Sequence, residues 1–532
     1  MKSLYLINPA SDFPTYYGAE SFAGRGLRPA VMSADLTIAT VAGMVPEDFF
    51  VTLCDESISP IDFNSNADYI GITGKINQRA RMIAIAQEFR KRGKVVMIGG
   101  PYATLSSAVV RPYCDILVRG EIEEIADDLF SDLKSSCWRD EYVGDKPDLS
   151  RAVIPRWDLY PNDRAMIGTL QTSRGCPFQC EFCDVIQYLG RKQRRKPIPQ
   201  VLAELDVLYR VGYRTIFIAD DNFTANRPAV KALLVELRDW NRRQESGGVR
   251  FGTQVSIDVA RNPELIRMCA EAGLTNIFIG IETPNQESLK ETKKNQNLNV
   301  DLVDQIQCFL DEGIQIAAGM IAGFDADGPD IFQRQYDFGM AAPVPIITTG
   351  ALVAPDATPL HARMERANRL FHEGSEGPAM PWSTNIEPQQ MTRDQLLSGV
   401  QWLCNNLYHP AAFAERVCHF IDRVNPRSLE PTVPVQSNGK ARTVDLDSAE
   451  LVGKFHTLGR EEASMLSKII MKAATKPALK PLIFSTLLQY VQIRYMYERG
   501  SFWEYRLAAE PAPAFVGRGT LPVLPQQSPA YS

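Results

Sequence analysis

The chain reads as an α/β protein in three parts: an open parallel sheet over residues 1–145, a second strand–helix alternation over 155–360, and a helical region over 361–509. Three observations predict this. Short β-rich runs alternate with helical ones through the first two parts, the pattern of parallel sheets covered by helices. Polar and glycine residues recur at the carboxyl ends of the strands, where such sheets bind ligands. After Leu360 the alternation stops and helical periodicity takes over.

In the first part, strands are expected over residues 3–8, 50–55, 69–73, 95–98 and 116–118, with helices over 34–44, 78–92 and 123–133. The strands end in Asn8-Pro9, Asp55-Glu56, Thr73-Gly74, Gly99-Gly100-Pro101 and Gly120-Glu121, all suited to ligand-facing loops. For any single loop, a tight turn explains its Gly or Pro equally well.

In the second part, strands are expected over 167–172, 215–219, 251–257, 276–281, 316–321 and 346–353, and helices over 199–209, 228–242, 263–272 and 300–312. Asn262-Pro263-Glu264 supplies an N-cap amide, a proline at the first helical position and an acid in the first turn, and Gly273 suits the end of that helix. The strand ends carry Asp220-Asp221-Asn222-Phe223, Gln254 with Ser256 and Asp258, Glu282-Thr283-Pro284-Asn285, the run from Gly319 to Asp325, and the run from Pro355 to Pro359. Carboxylates and amides there accept hydrogen bonds from ligand hydroxyl or ammonium groups, or else cap their own loops.

The third part predicts helices over 392–407, 410–424, 461–472 and 479–497, with Thr392 and Gln395 placed for a capping box. The last helix is rich in aliphatics, among them Ile483, Leu487, Leu488, Val491 and Ile493. Core packing is the expected reason, with contact to a membrane surface or an apolar substrate as the alternative. From Glu510 onward Pro and Gly dominate, so residues 510–532 are expected to form a disordered tail.

At 532 residues the chain exceeds one hydrophobic core, so two or three domains are expected. Its 45% apolar and 23% charged content is that of a soluble globular protein, and the net charge of −6 argues against a nucleic-acid partner. The most basic run, Arg191 to Lys196, reads as a solvated face, or as one or two cations meeting an anionic cofactor or substrate group. No stretch of 18 apolar residues occurs, so no transmembrane segment is expected and the expected compartment is the cytoplasm.

The most informative segment is Thr172-Ser173-Arg174-Gly175-Cys176-Pro177-Phe178-Gln179-Cys180-Glu181-Phe182-Cys183. Gly175 and Pro177 keep it out of a regular helix, so it can wrap and present three sulfurs to one centre. Iron–sulfur cubes take four thiolates, and three close cysteines leave one iron open. Zinc is the competitor, but structural zinc needs a second Cys or His pair, and the nearest histidine is His361. The other seven cysteines stand singly, in settings where inert buried thiols are the expected reading.

The C-x3-C-x-aromatic-C spacing resembles the signature of the radical S-adenosylmethionine (SAM) superfamily. That resemblance implies a [4Fe-4S] cluster on Cys176, Cys180 and Cys183, with SAM on the open iron, and a partial (β/α)6 TIM-like barrel over residues 155–360. It places Phe182 near the adenine. It further assigns SAM contacts to Asp220, Gln254, Ser256, Glu282, Gly319 and Gly323. The Gly319-x-Ile321-x-Gly323 run is similar to a G-x-I-x-G-x-x-E motif of the superfamily, with Ala326 at the acidic position and Asp325 beside it.

Residues 1–145 resemble the Rossmann-like cobalamin-binding domain of one branch of this superfamily, on the strength of Gly99-Gly100-Pro101-Tyr102-Ala103-Thr104 and Arg119-Gly120-Glu121. The resemblance assigns Thr73, Gly99, Gly100, Pro101, Tyr102, Gly120 and Glu121 to cobalamin. The D-x-H-x-x-G motif is absent and all five histidines lie downstream, so no lower His ligand comes from this domain. The 279–284 and 289–294 runs are similar to stretches of the cobalamin-type enzymes, and the region from Met391 resembles the helical extension of hopanoid-methylase-like members.

The implied function is cobalamin-dependent methyl transfer to an unactivated position of a small molecule or lipid, with a flavodoxin or ferredoxin as electron donor. Two alternatives stand beside it: transfer of the 3-amino-3-carboxypropyl group of SAM without methylcobalamin, and a non-catalytic cluster or cobalamin sensor.

Overall fold

A computed structural model describes residues 1–26, 30–245, 247–371, 380–426, 453–455 and 457–509. The 510–532 segment and His372 and His456 lie outside the described residues.

The first sheet is six-stranded and wholly parallel, in the order β3-β1-β4-β5-β6-β7. Its strands are β1 Lys2–Asn8, β3 Phe49–Asp55, β4 Tyr69–Thr73, β5 Val95–Gly99, β6 Ile116–Arg119 and β7 Glu141–Val143. Alternation along β1 divides two cores. Leu4 and Leu6 join the main core, while Tyr5 and Ile7 pack with Met82, Ile85 and Phe89 of the helix Arg79–Lys91. Burial on both faces explains the near-continuous apolar strands.

The second sheet holds the six barrel strands, β8 Ala165–Leu170, β11 Thr215–Ile218, β12 Arg250–Val255, β13 Leu274–Glu282, β14 Gln315–Ala322 and β15 Ile346–Ala351, in the order β15-β14-β13-β12-β11-β8. A seventh strand, β2 Val31–Ser33, adds to its β8 edge. The unit expected over 1–145 therefore lends a strand to the barrel sheet. Both β2 and β7 were outside the expected set, because three residues carry no readable period. The expected helices appear as Ile198–Arg210, Arg227–Arg242, Pro263–Ala272 and Leu302–Asp311. Ile331–Ala341 and Pro359–Arg366 are additional.

The 123–133 helix begins later than expected, with a 3-10 turn at Ile122–Glu124 followed by Ala126–Ser135. A register shift between Gly280 and Glu282 on β13 puts Glu282 at φ +65°, a bulge at the strand's carboxyl end. In the helical part, Arg393–Tyr408 lies on β15, Arg460–Ala473 packs on Pro410–Arg423, and Lys480–Arg499 follows, all close to expectation. Thr392 and Gln395 close their capping box. No described helix is long and apolar enough to cross a membrane.

Candidate active site

The cysteine loop leaves β8 and is tied at its root by a short antiparallel pair, β9 Ser173–Arg174 with β10 Arg194–Arg195. Gly175 sits at φ +94°, and a Cβ there would lie 2.6 Å from the Lys192 carbonyl, so this turn demands glycine. The Gly175 amide donates to Asp221 at 2.7 Å, and the Cys176 amide donates to the Gly190 carbonyl at 3.2 Å.

Asp220 has no exposed surface. Its two oxygens accept from the Thr172 and Ser173 amides at 2.7 and 3.0 Å and from their hydroxyls at 2.5 and 2.6 Å. A SAM contact was expected of Asp220; here its carboxylate takes four donors and holds the loop root. Ser256 accepts from Asn222 Nδ2 at 2.6 Å, and Gln254 is half-buried on β12. Gly319 lies within β14, where a Cβ would meet the Phe278 ring at 2.9 Å. Gly323 stands at φ +107° and its amide donates to Asp327 at 3.0 Å. Asp325 is taken by Arg363 and Arg369, so it does not replace the missing motif acid.

Cys180 is buried, and Cys176 and Cys183 are partly so. Burial, followed by Asp184 and the two neighbouring thiols, pushes Cys183 up to about 12. Burial and the Cys180 charge also raise Cys176, against a Phe178 amide bond that lowers it. Ionising all three thiols in such a setting takes a cationic centre between them. The described residues place no group of three or more His, Cys, Asp or Glu around a single ion position.

Two residues beside the sulfurs were not foreseen. Gln296 donates to Cys180 Sγ at 3.7 Å, and its buried Oε1 has no partner. Lys294 pairs with Glu282 at 2.6 Å. Burial opposes its charge, but Glu282 and then the Cys180 thiol outweigh that and raise its pKa. Glu282 is thus already paired. The Phe182 ring packs 6.1 Å from the ring of Phe324.

A cavity of about 310 Å3 opens at the carboxyl ends of β1, β4, β5 and β6. Thr73, Gly99, Gly100, Pro101, Gly120 and Glu121 line it, above an apolar floor that includes Leu6, Met97 and Phe130. Tyr102 is the exception: it is buried in the core behind the sheet. Gly100 and Gly120 have φ +94° and +73°, which lets the backbone form the cavity rim. Among the described residues, no histidine lines the wall.

The same wall continues into Gln171, Arg174, Tyr188 and Leu189 of the cysteine loop. Arg174 pairs with Glu121 and Glu123, each at 2.6 Å, and Arg194 holds Glu121 at 2.5 Å. Lys196 is buried against Glu204 at 2.7 Å. The basic run is therefore no solvated face, since only Arg191 and Lys192 are exposed. Arg194 and Lys196 meet the protein's own carboxylates.

The family model described as the radical SAM superfamily matches residues 170–328, and one described as a domain of unknown function (DUF4070) matches 358–505. An uncharacterized methyltransferase of Synechocystis is 35% identical over 76% of each chain. The hopanoid C-2 methylase of Rhodopseudomonas palustris is 28% identical over 75% of this chain and 76% of its own. Among solved structures, the cobalamin-dependent SAM radical enzyme OxsB superposes with a TM-score of 0.59 at 16% identity, covering 94% of this chain and 80% of that one. The radical SAM methyltransferase TsrM of Kitasatospora setae gives 0.56 at 15% identity, over 75% and 84%. With its cysteine loop, half-barrel and these relatives, the chain belongs to the radical SAM superfamily, among its methyltransferase-like enzymes.

Proposed function

We propose that this chain is a cobalamin-dependent methylase that adds a methyl group to an unactivated carbon of a small molecule or lipid. One observation carries the reading: a single cavity wall runs from the strand ends of the first sheet to Gln171, Arg174 and Tyr188 of the cysteine loop. A flat macrocycle seated on that rim would face the loop, and the apolar floor suits an aromatic base. When bound, the cluster with SAM would supply a carbon radical, and cobalamin a transferable methyl group. The methyltransferase names of the relatives support the transferred group, and the hopanoid methylase supports a lipid among the acceptors.

In this reading Cys176, Cys180 and Cys183 would hold the cluster. Asp220 and Asp221 fix the loop root, and Gln296 donates to a ligand sulfur and draws charge from it. Lys294 adds a buried positive charge close to the thiols. Phe182 offers an apolar face, and Gln254, half-buried with its strand end toward the site, remains the open polar candidate for SAM. Glu121, gripped by Arg174 and Arg194, joins the two domains. The reading calls for a one-electron donor of the flavodoxin or ferredoxin type and for a reducing compartment, the cytoplasm.

A cavity wall without histidine among the described residues also leaves room for transfer of the 3-amino-3-carboxypropyl group, with no methylcobalamin involved. Anaerobic reconstitution followed by iron, cobalamin and product analysis separates the two. The methylase reading expects about four irons per chain, bound cobalamin and 5′-deoxyadenosine, all but the cobalamin lost in Cys180→Ala. Methylthioadenosine as the SAM product would select the second reading. No SAM cleavage at all would leave a sensor.

A further inference from the structure

The helix Arg460–Ala473 buries Met465, Leu466, Ile469 and Ala473 and turns Ile470 and Met471 outward, 47% and 69% exposed. Among the described residues, Met471 is the most exposed large apolar side chain after Met1. Ala474, Pro477 and Pro481 continue the exposed apolar surface around the turn into the next helix.

This tip is ringed by cations. Lys468, Lys472, Lys476 and Lys480 follow one another at four-residue spacing, and no Asp or Glu occurs between Glu462 and Glu498. On the neighbouring helix, Asp422 pairs with Lys472 at 2.5 Å and stands next to the exposed Arg423. Lys476 donates to the Asp422 and Val424 carbonyls. Lys468 and Lys480 are exposed and carry no ion pair among the described residues. The concentration of positive charge stands out in a chain of net charge −6.

We infer that this tip is a peripheral docking surface for an anionic lipid bilayer, with Ile470 and Met471 entering the acyl boundary and the lysines meeting lipid phosphates. Lysine stems lie along apolar surface while their ammonium groups reach the headgroups, which is the geometry of interfacial segments. A protein partner fits less well. Stable protein interfaces bury about 1,000 Å2 or more and are depleted in Lys, whereas this tip offers two large aliphatic side chains and no aromatic anchor. Docking stands on these residues alone. A lipid acceptor, which rests on the methylase reading, would be taken up from the surface the protein sits on.

Co-sedimentation of the full chain with phosphatidylcholine vesicles, with and without phosphatidylglycerol, tests the inference without any turnover, so a failed methylase reading leaves it standing. Binding is expected to the anionic vesicles only and to weaken with salt. Each exposed lysine near the surface is worth roughly fivefold in partition, so Lys468→Gln with Lys480→Gln should lower it about 25-fold. Ile470→Ser with Met471→Ser should lower it by roughly tenfold or more. These side chains are exposed, and unchanged far-UV circular dichroism and the salt series on the native chain guard against a folding artefact. Absent binding, equal binding to neutral and anionic vesicles, or variants that bind like the native chain would overturn it. So would light scattering showing self-association that the Ile470→Ser, Met471→Ser pair abolishes while vesicle binding persists, since the tip would then join two copies.

Discussion

The Tyr16 hydroxyl donates to the Thr349 carbonyl at 2.5 Å and accepts from the Thr349 amide at 3.0 Å. Two residues earlier on the same strand, the Tyr408 hydroxyl does the same for Ile347, at 2.9 and 3.1 Å. These are the outward-facing backbone groups of β15, the free edge of the half-barrel sheet. Two tyrosines, one from the N-terminal segment and one from the helical part, thus stand in for a missing neighbour strand.

Removing the Tyr408 hydroxyl should leave the Ile347 amide and carbonyl without partners; removing that of Tyr16 should orphan the Thr349 amide and leave its carbonyl only the weak Cys404 Sγ donor at 3.9 Å. Tyr16→Phe and Tyr408→Phe should each cost about 1–3 kcal/mol, read as a lower urea midpoint with the slope unchanged. Faster amide exchange at Thr349 for the first and at Ile347 for the second would locate the effect. Unaltered exchange at both positions would show that the edge is protected by something other than these hydroxyls.

Asp220 offers a sharper test of structural against ligand-binding roles. Asp220→Ala removes four hydrogen bonds from Thr172 and Ser173 at the root of the cysteine loop. Iron incorporation on anaerobic reconstitution should therefore fall severalfold even when SAM is omitted. A variant that loads iron normally and loses only SAM affinity would return Asp220 to the role its strand-end position implies.

Two glycines with the same backbone angle separate strain from collision. Gly93 and Gly120 both have φ +73°, but a Cβ on Gly93 meets nothing within 4 Å, while one on Gly120 would stand 2.0 Å from the Gly144 carbonyl. Gly93→Ala should cost about 1 kcal/mol and leave cobalamin retention unchanged. Gly120→Ala must displace backbone at the cavity rim, so it should be clearly the more destabilising of the two and should release cobalamin. Equal effects would mean that the rim adapts.

The same contrast explains what the sequence made legible. Both parallel sheets were readable because their strands are buried on both faces and read as apolar runs bounded by Gly, Pro and acids. β2 was not, because its pairing with β8 joins three residues to a partner more than a hundred positions away. Strand-end position singled out Thr73, Gly99, Gly100 and Gly120, which line the cavity. It did not say where the side chains turn: Asp220 turns back on Thr172 and Ser173, and Tyr102 faces the rear core. Lys294 and Gln296 lie beyond the strand that ends at Glu282, and only the fold brings them back to the sulfurs.

Asp55, at the end of β3, gives a pH signature away from the cysteines. Burial, then the charge of Asp35, pushes its carboxyl up to about 6 from the ordinary 3.8, while bonds from Tyr160, Ser57 and Asn8 pull the other way. A carboxyl whose pKa is raised by folding holds its proton more tightly in the folded chain. Below pH about 4 it is protonated in both states and costs nothing; between about pH 4 and 6 the folded state loses stability as pH rises, and above that the loss is constant. The full loss is about 3 kcal/mol. Asp55→Asn keeps an oxygen for the Tyr160 hydroxyl, which donates at 2.8 Å, and removes the charge. The difference in urea stability between variant and native chain should therefore grow in the variant's favour from pH 4 to 6 and then level off. If the native chain is instead the more stable at pH 8, its ionised hydrogen bonds outweigh the cost of burying the charge.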